Sequence, residues 1–208
     1  MDLSLRDEPT LPLSNCITSS LAYNYGEWTQ RKLLKVATNI ATEAQTTTSI
    51  STITPADWAA GAIGGFVGSV LFGLIMQYVI PAPMLEMAIP AMYGIEGPAL
   101  LTGWAIHQFH GVVLGLAYVA LVQFGPLADP AKRIGPAIGL GIGYGVLTTA
   151  ALAVLVMPIW LSTLGFPGAP PFPNVAIPGT IVSLVGHVVY AVPVALAYAL
   201  VARDYTTG

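Results

Sequence analysis

The chain has 208 residues, 55% of them hydrophobic and only 8% charged, with a formal net charge of -3 and a single cysteine, Cys16. A soluble domain carries about 25% charged residues, so a water-soluble fold would lack the polar surface to cover itself. The charge balance gives no basis for a nucleic-acid partner, and one cysteine excludes an internal disulfide, a CxxCH haem attachment and any multi-cysteine metal site.

Residues 1–54 differ in kind from the rest. They hold four of the seven basic residues and end in TTTSISTIT (46–54), which cannot bury enough apolar surface to order itself. Leu33, Ala37, Ile40, Ala41 and Ala44 form a weak helical stripe. A disordered or partly helical tail is expected. A cleaved signal peptide is not, because no apolar stretch with a small-residue cleavage site follows Met1.

At Thr54-Pro55-Ala56-Asp57 the pattern changes. Threonine can cap a helix, proline is tolerated in its first turn, and an aspartate three residues after the cap completes a capping box. From Trp58 to Ala202 the charged side chains are Glu86, Glu96, Asp129, Lys132 and Arg133, all in two breaks. A charge at the bilayer centre costs about 3 kcal/mol, and crossing takes roughly 20 apolar residues. The sequence meets that demand four times, at about 58–80, 97–124, 134–160 and 178–202. A polytopic four-helix membrane domain over 55–204 is the expected fold, all-α, with lipid as its surroundings. The connections 81–96 and 161–177 are rich in proline yet apolar, and are expected in the interface or dipping into the protein. With four crossings, all seven basic residues fall on one side. That places both termini in the cytoplasm of a multi-pass cell-membrane protein.

The two halves resemble each other. A shift of 80 sets Pro98 on Pro178, His107 on His187, and Leu116-Ala117-Tyr118 on Leu196-Ala197-Tyr198; a shift of 77 sets Gly64 on Gly141, Gly68 on Gly145 and Pro81 on Pro158. Two repeated hairpins, related by a pseudo-twofold axis along the membrane normal, are expected. Glycines recur at fours: Gly61 and Gly65, Gly64 and Gly68, Gly139 and Gly143, Gly141 and Gly145. Such ridges let backbones approach closely in lipid, and packing of the first crossing on the third is expected from them.

His107 and His110 share a face of the second crossing, and His187 is the repeat mate of His107. Both mates lie about 14 Å below the prolines that open their helices, so they fall at one depth. Three roles are open: hydrogen bonding between helices, axial ligation of a haem by His107 and His187, and a polar route or binding cavity using His110, Tyr118, Tyr190 and Tyr198. The motifs GWAIHQFHGVVLGLAY, PIWLSTLGFPGAPPFPN and SLVGHVVYAV resemble a group of small four-span membrane proteins of haloarchaea, sometimes labelled histidine kinases. The resemblance covers about 55–202 and implies the fold and source. The chain has no Gly-rich nucleotide loop and no phosphate-binding lysine motif, and no nucleophile–base pair, paired carboxylates or metal-ligand cluster stands in the spans. The expected function is a non-enzymatic binding, scaffold or assembly component, alone or in a homo-oligomer or membrane complex. The alternatives are a haem-binding or electron-transfer subunit, and a small-solute channel or transporter.

Overall fold

The computed structural model describes residues 29–39, 53–80 and 83–204. The chain divides into two units, Met1–Ser49 and Ile50–Gly208. In the first, residues 29–39 form an exposed helix, in which Thr38 Oγ1 donates to Leu34 O at 2.7 Å. Ile40, Ala41 and Ala44 of the helical stripe, Pro81 of the repeat and most of the TTTSISTIT run lie outside the described residues.

In the second unit, four helices are long and apolar enough to cross a membrane: α1, Pro55–Tyr78; α2, Leu100–Val122; α3, Ile134–Thr163; and α4, which begins at Gly179 and runs to Asp204. The first opens on the expected cap. Thr54 N donates to Asp57 Oδ2 at 2.8 Å, Asp57 N donates to Thr54 Oγ1 at 3.2 Å, and Pro55 fills the first turn, where its missing N–H costs nothing. All four helices turn large apolar side chains outward: Ile63 is 63% exposed, Leu101 86%, Leu147 53% and Ile181 52%. Such faces are compatible with a membrane-spanning bundle.

Successive helices run antiparallel, so the bundle has a basic end, where Lys132, Arg133 and Arg203 gather, and a proline end, where both proline-rich connections lie. Around the bundle the order is α2, α1, α4, α3: α1 packs along both α2 and α4, and α3 along α4. The expected pairing of the first crossing with the third does not occur, because α4 lies between them. One ridge of α1 serves α2: a methyl group at Gly61 would lie 2.8 Å from Gly115 O, and one at Gly65 would strike Gly111 O. The next ridge serves α4, with Gly64 facing Val194 Cα at 2.8 Å and Gly68 facing the Tyr190 backbone. On α3, Gly141 and Gly145 also face α4, at Ala195 and Val188. Gly139 and Gly143 correct the expected ridge. Nothing lies within 4 Å of a side chain added there, since each stands two residues, about 160° around a helix, from Gly141, which faces α4.

The third helix is not a regular α-helix. Between Ile134–Thr148 and Met157–Thr163 it widens to a π-helix over Thr149–Val156. Two causes act from opposite ends. Thr148 Oγ1 donates to Tyr144 O and Thr149 Oγ1 to Gly145 O, at 2.9 and 2.7 Å, and such back-bonding competes for carbonyls that the backbone ladder would use. Pro158 has no N–H to give and its ring crowds the preceding turn.

The freed carbonyls are not stranded. Asn174 N donates to Val154 O at 3.0 Å, and Asn174 Nδ2 to Ala153 O at 3.4 Å, so the second connection folds back onto the widened turn. The first connection also folds inward. Its short helical turns at Met84–Ala88 and Ile89–Ala91 bury Leu85, Ala88, Ile89 and Pro90, Ala99 N donates to Glu86 O at 2.9 Å, and Gly103 on α2 leaves just enough room for the Leu85 carbonyl.

Candidate functional site

Folding both connections inward roofs a cavity of about 540 Å³ in the proline half of the bundle, walled by all four long helices. Phe72 and Met76 of α1, Leu114 of α2, Leu152 of α3 and Met84 of the first connection make it mainly apolar. Its polar groups are His107, His110, Ser183, His187, Tyr190, Asn174 and the indole N–H of Trp160. All three histidines of the chain therefore line one space.

Their partners differ. His107 Nε2 donates to Ser69 O on α1 at 2.9 Å, an interhelical bond. His187 Nδ1 donates to Ser183 O one turn back on its own helix at 2.8 Å. Both rings lie against Phe72, with centroid separations of 5.7 and 4.7 Å, and Phe72 in turn fits against the bare backbone of Gly186. His110 pairs through Nε2 with the Tyr93 hydroxyl of the first connection. Tyr93 also packs on Trp160 of α3, with centroids 5.9 Å apart, so it bridges α2 and α3 across the proline end.

Tyr190 reaches across the cavity floor, its hydroxyl donating to Gly111 O on α2 at 2.8 Å. Tyr144 makes the parallel contact one turn further on, to Leu114 O at 2.8 Å. Beneath this pair the bundle is solid. Tyr118 and Tyr198, grouped with the cavity residues from sequence, stand instead in the basic half, each 1% exposed, in edge-to-face contact with centroids 6.3 Å apart. Gln123 Nε2 donates to the Tyr198 hydroxyl at 3.0 Å, while the Tyr118 hydroxyl has no partner among the described residues. They lie outside the cavity because α1 approaches α2 closely at Gly61 and α4 closely at Gly64, leaving no space at that depth.

The donor set fits a haem poorly. Axial ligation by His107 and His187 needs a flat macrocycle between the rings, and Phe72 occupies contact distance to both. It also needs His107 to coordinate through Nδ1 or to give up the bond to Ser69 O. No group of three or more His, Cys, Asp or Glu side chains capable of holding a metal ion occurs among the described residues.

Phe72, Tyr93, Tyr144, Trp160 and Asn174 escape a reading of the sequence alone. Aromatic residues in an apolar helix carry no label for the neighbour they meet. The one available signal is Pro158 inside a long apolar stretch, which announces carbonyls in need of donors without naming Asn174 as their source.

Fold and site together define an all-helical protein of four long apolar helices, suggestive of a membrane protein, with a histidine-lined cavity roofed by its own connections. No family model, no curated protein and no solved structure matches the chain.

Proposed function

We propose that the protein is a non-enzymatic, multi-pass protein of the cell membrane that binds a lipid-soluble small molecule in this cavity. The cavity itself carries the reading: its volume falls in the range of about 300–1,000 Å³ usual for small-molecule sites, and a mainly apolar wall with a few converging polar groups is the usual composition of one. A catalytic role has less support. Tyr190 donates to a backbone carbonyl, and although Ser183 Oγ lies 3.4 Å from His187 Nδ1, that nitrogen donates to Ser183 O and has no lone pair with which to activate the hydroxyl. A conducting path has less support too, since Val119, Val194, Ala195 and Tyr198 fill the basic half.

The basic end is proposed as cytoplasmic, by the positive-inside rule. A duplicated hairpin is supported by the meeting of two sets of repeat mates, Tyr118 with Tyr198 and His107 with His187 through Phe72. The order of the helices departs from such symmetry, because α1 packs along α4 without an equally long contact of α2 on α3. The outward ridge of Gly139 and Gly143 suits close approach of a second copy.

The experiment is solvent extraction of protein purified from membranes in mild detergent, followed by mass spectrometry. One class of apolar molecule, at near one per chain, is expected from the parent protein and not from Ala153→Phe, which fills the cavity wall. The same extract from both, with the variant still helical and monodisperse, would overturn the reading.

A further inference from the structure

We infer that the cavity selects a lipid-soluble molecule bearing a hydroxyl donor, an alcohol or phenol, which enters from the lipid between α2 and α3 and donates to the free ring nitrogen of His187, with that of His107 as a second acceptor in the same wall. The inference rests on the binding reading above and adds the chemistry of the ligand.

It starts from the two imidazoles. A backbone carbonyl only accepts, so His107 carries its proton on Nε2, toward Ser69 O, and His187 carries its proton on Nδ1, toward Ser183 O. In its uncharged form each ring then has one nitrogen left with a lone pair, His107 Nδ1 and His187 Nε2. Neither has a hydrogen-bond partner among the described residues. Opposite tautomers on two residues of one cavity thus give the same result: a wall offering acceptors.

The other hydroxyl and amide groups are largely committed, while the Trp160 indole N–H remains a donor that an ether and an alcohol meet equally. The Tyr190 hydroxyl donates to Gly111 O, the Asn174 amide donates to Ala153 O, and the Tyr93 hydroxyl is taken up with His110. Ser183 keeps a hydroxyl that both donates and accepts, so an alcohol suits it as well. A ligand with acceptors alone, such as an ether or a ketone, would leave the two lone pairs unmet in an apolar space, whereas a hydroxyl satisfies one and an apolar body fills the remainder.

The route is equally specific. Val113 on α2 and Val156 on α3 both line the cavity, yet they remain 44% and 39% exposed, so the wall between those helices is open at the proline end. Toward the basic end it is closed by the Tyr144 bond to Leu114 O. The opening therefore faces lipid, beneath the Tyr93 ring that spans from His110 to Trp160.

The test compares 4-octylphenol with its methyl ether, 4-octylanisole, which keeps the body and loses the donor. Both are titrated into the full chain in lipid nanodiscs, with empty nanodiscs as the baseline and tryptophan fluorescence as the readout. The phenol is expected to bind about tenfold more tightly, the worth of one good neutral hydrogen bond. In His187→Phe the preference should fall to about twofold while affinity for the ether holds. That variant is the informative one if His107→Phe unfolds, since the His187 bond stays within its own helix. Equal binding of phenol and ether, or a preference unchanged in His187→Phe, would overturn the inference and leave the binding reading standing. Failure of both compounds to bind would overturn the two together.

Discussion

The two ends of the same four helices solve different problems. In the basic half, glycines of α1 meet glycines of α2 and small residues of α4, backbones come close, and Tyr118, Tyr144 and Tyr198 fill what remains. In the proline half the third helix widens to a π-helix, large side chains replace the glycine contacts, and the connections fold inward over a cavity. Small residues make a solid core; large ones around histidines, with a folded-back roof, make a cavity. The difference shows that the cavity is built by the connections and by Pro158 as much as by the helices themselves.

Substitution in the solid half should break that contrast most severely. Gly68→Leu would drive a branched side chain into the Tyr190 backbone, and a loss of about 3 kcal/mol is expected, at the upper end of overpacking costs. Gly139→Leu, on the outward face, should change stability by no more than about 0.5 kcal/mol. Equal losses in detergent melting would mean that the ridges do not pack as described.

A smaller effect is expected at the cavity wall. His107→Ala removes a hydrogen bond that ties α2 to α1, a loss of about 1 kcal/mol, Ser69 O keeping the donor that its own helix supplies. His187→Ala should cost less, because its bond to Ser183 O stays within α4 and joins no second helix. Reversal of that order in thermal unfolding would contradict the assignment of His107 as the interhelical bond and His187 as the intrahelical one.

Smaller still is the effect at the roof. Asn174→Ala keeps the main-chain bond to Val154 O and removes the side-chain bond to Ala153 O, a loss of about 1 kcal/mol, and should speed amide exchange in the second connection while leaving the basic half protected. Uniform acceleration along the chain would show that the two halves unfold as one.

Much of this architecture was legible in the residues, and what was not has a common cause. The capping box at Thr54, four apolar helices and inward-folding connections follow from local composition and from the cost of exposed backbone in lipid. Helix partners do not. Gly61 and Gly64 announce that something comes close, and the same ridges would serve α2, α3 or α4 equally. The repeat suggests α3 as the partner, and the partners are α2 and α4. Gly111 and Gly115, also four apart, are the sign in the sequence that α2 is one of them. His107, His110 and His187 could be placed at neighbouring depths from the helical rise, whereas their meeting in one space depends on Phe72 and on a roof held by Asn174, twenty residues along the chain from the carbonyl it meets. The widened turn depended on hydroxyls of Thr148 and Thr149 whose targets only the folded helix supplies.

The central claim, a ligand space confined to the proline half, is tested most directly by position-resolved quenching. Two variants that retain only Trp160, which lines the cavity, or only Trp58, in the first turn of α1 at the basic end, are placed in nanodiscs and titrated with a brominated alkylphenol. Trp160 should be quenched saturably, and Trp58 only in proportion to the quencher dissolved in the lipid. Linear quenching of both, or saturation at Trp58 alone, would contradict a cavity at that end.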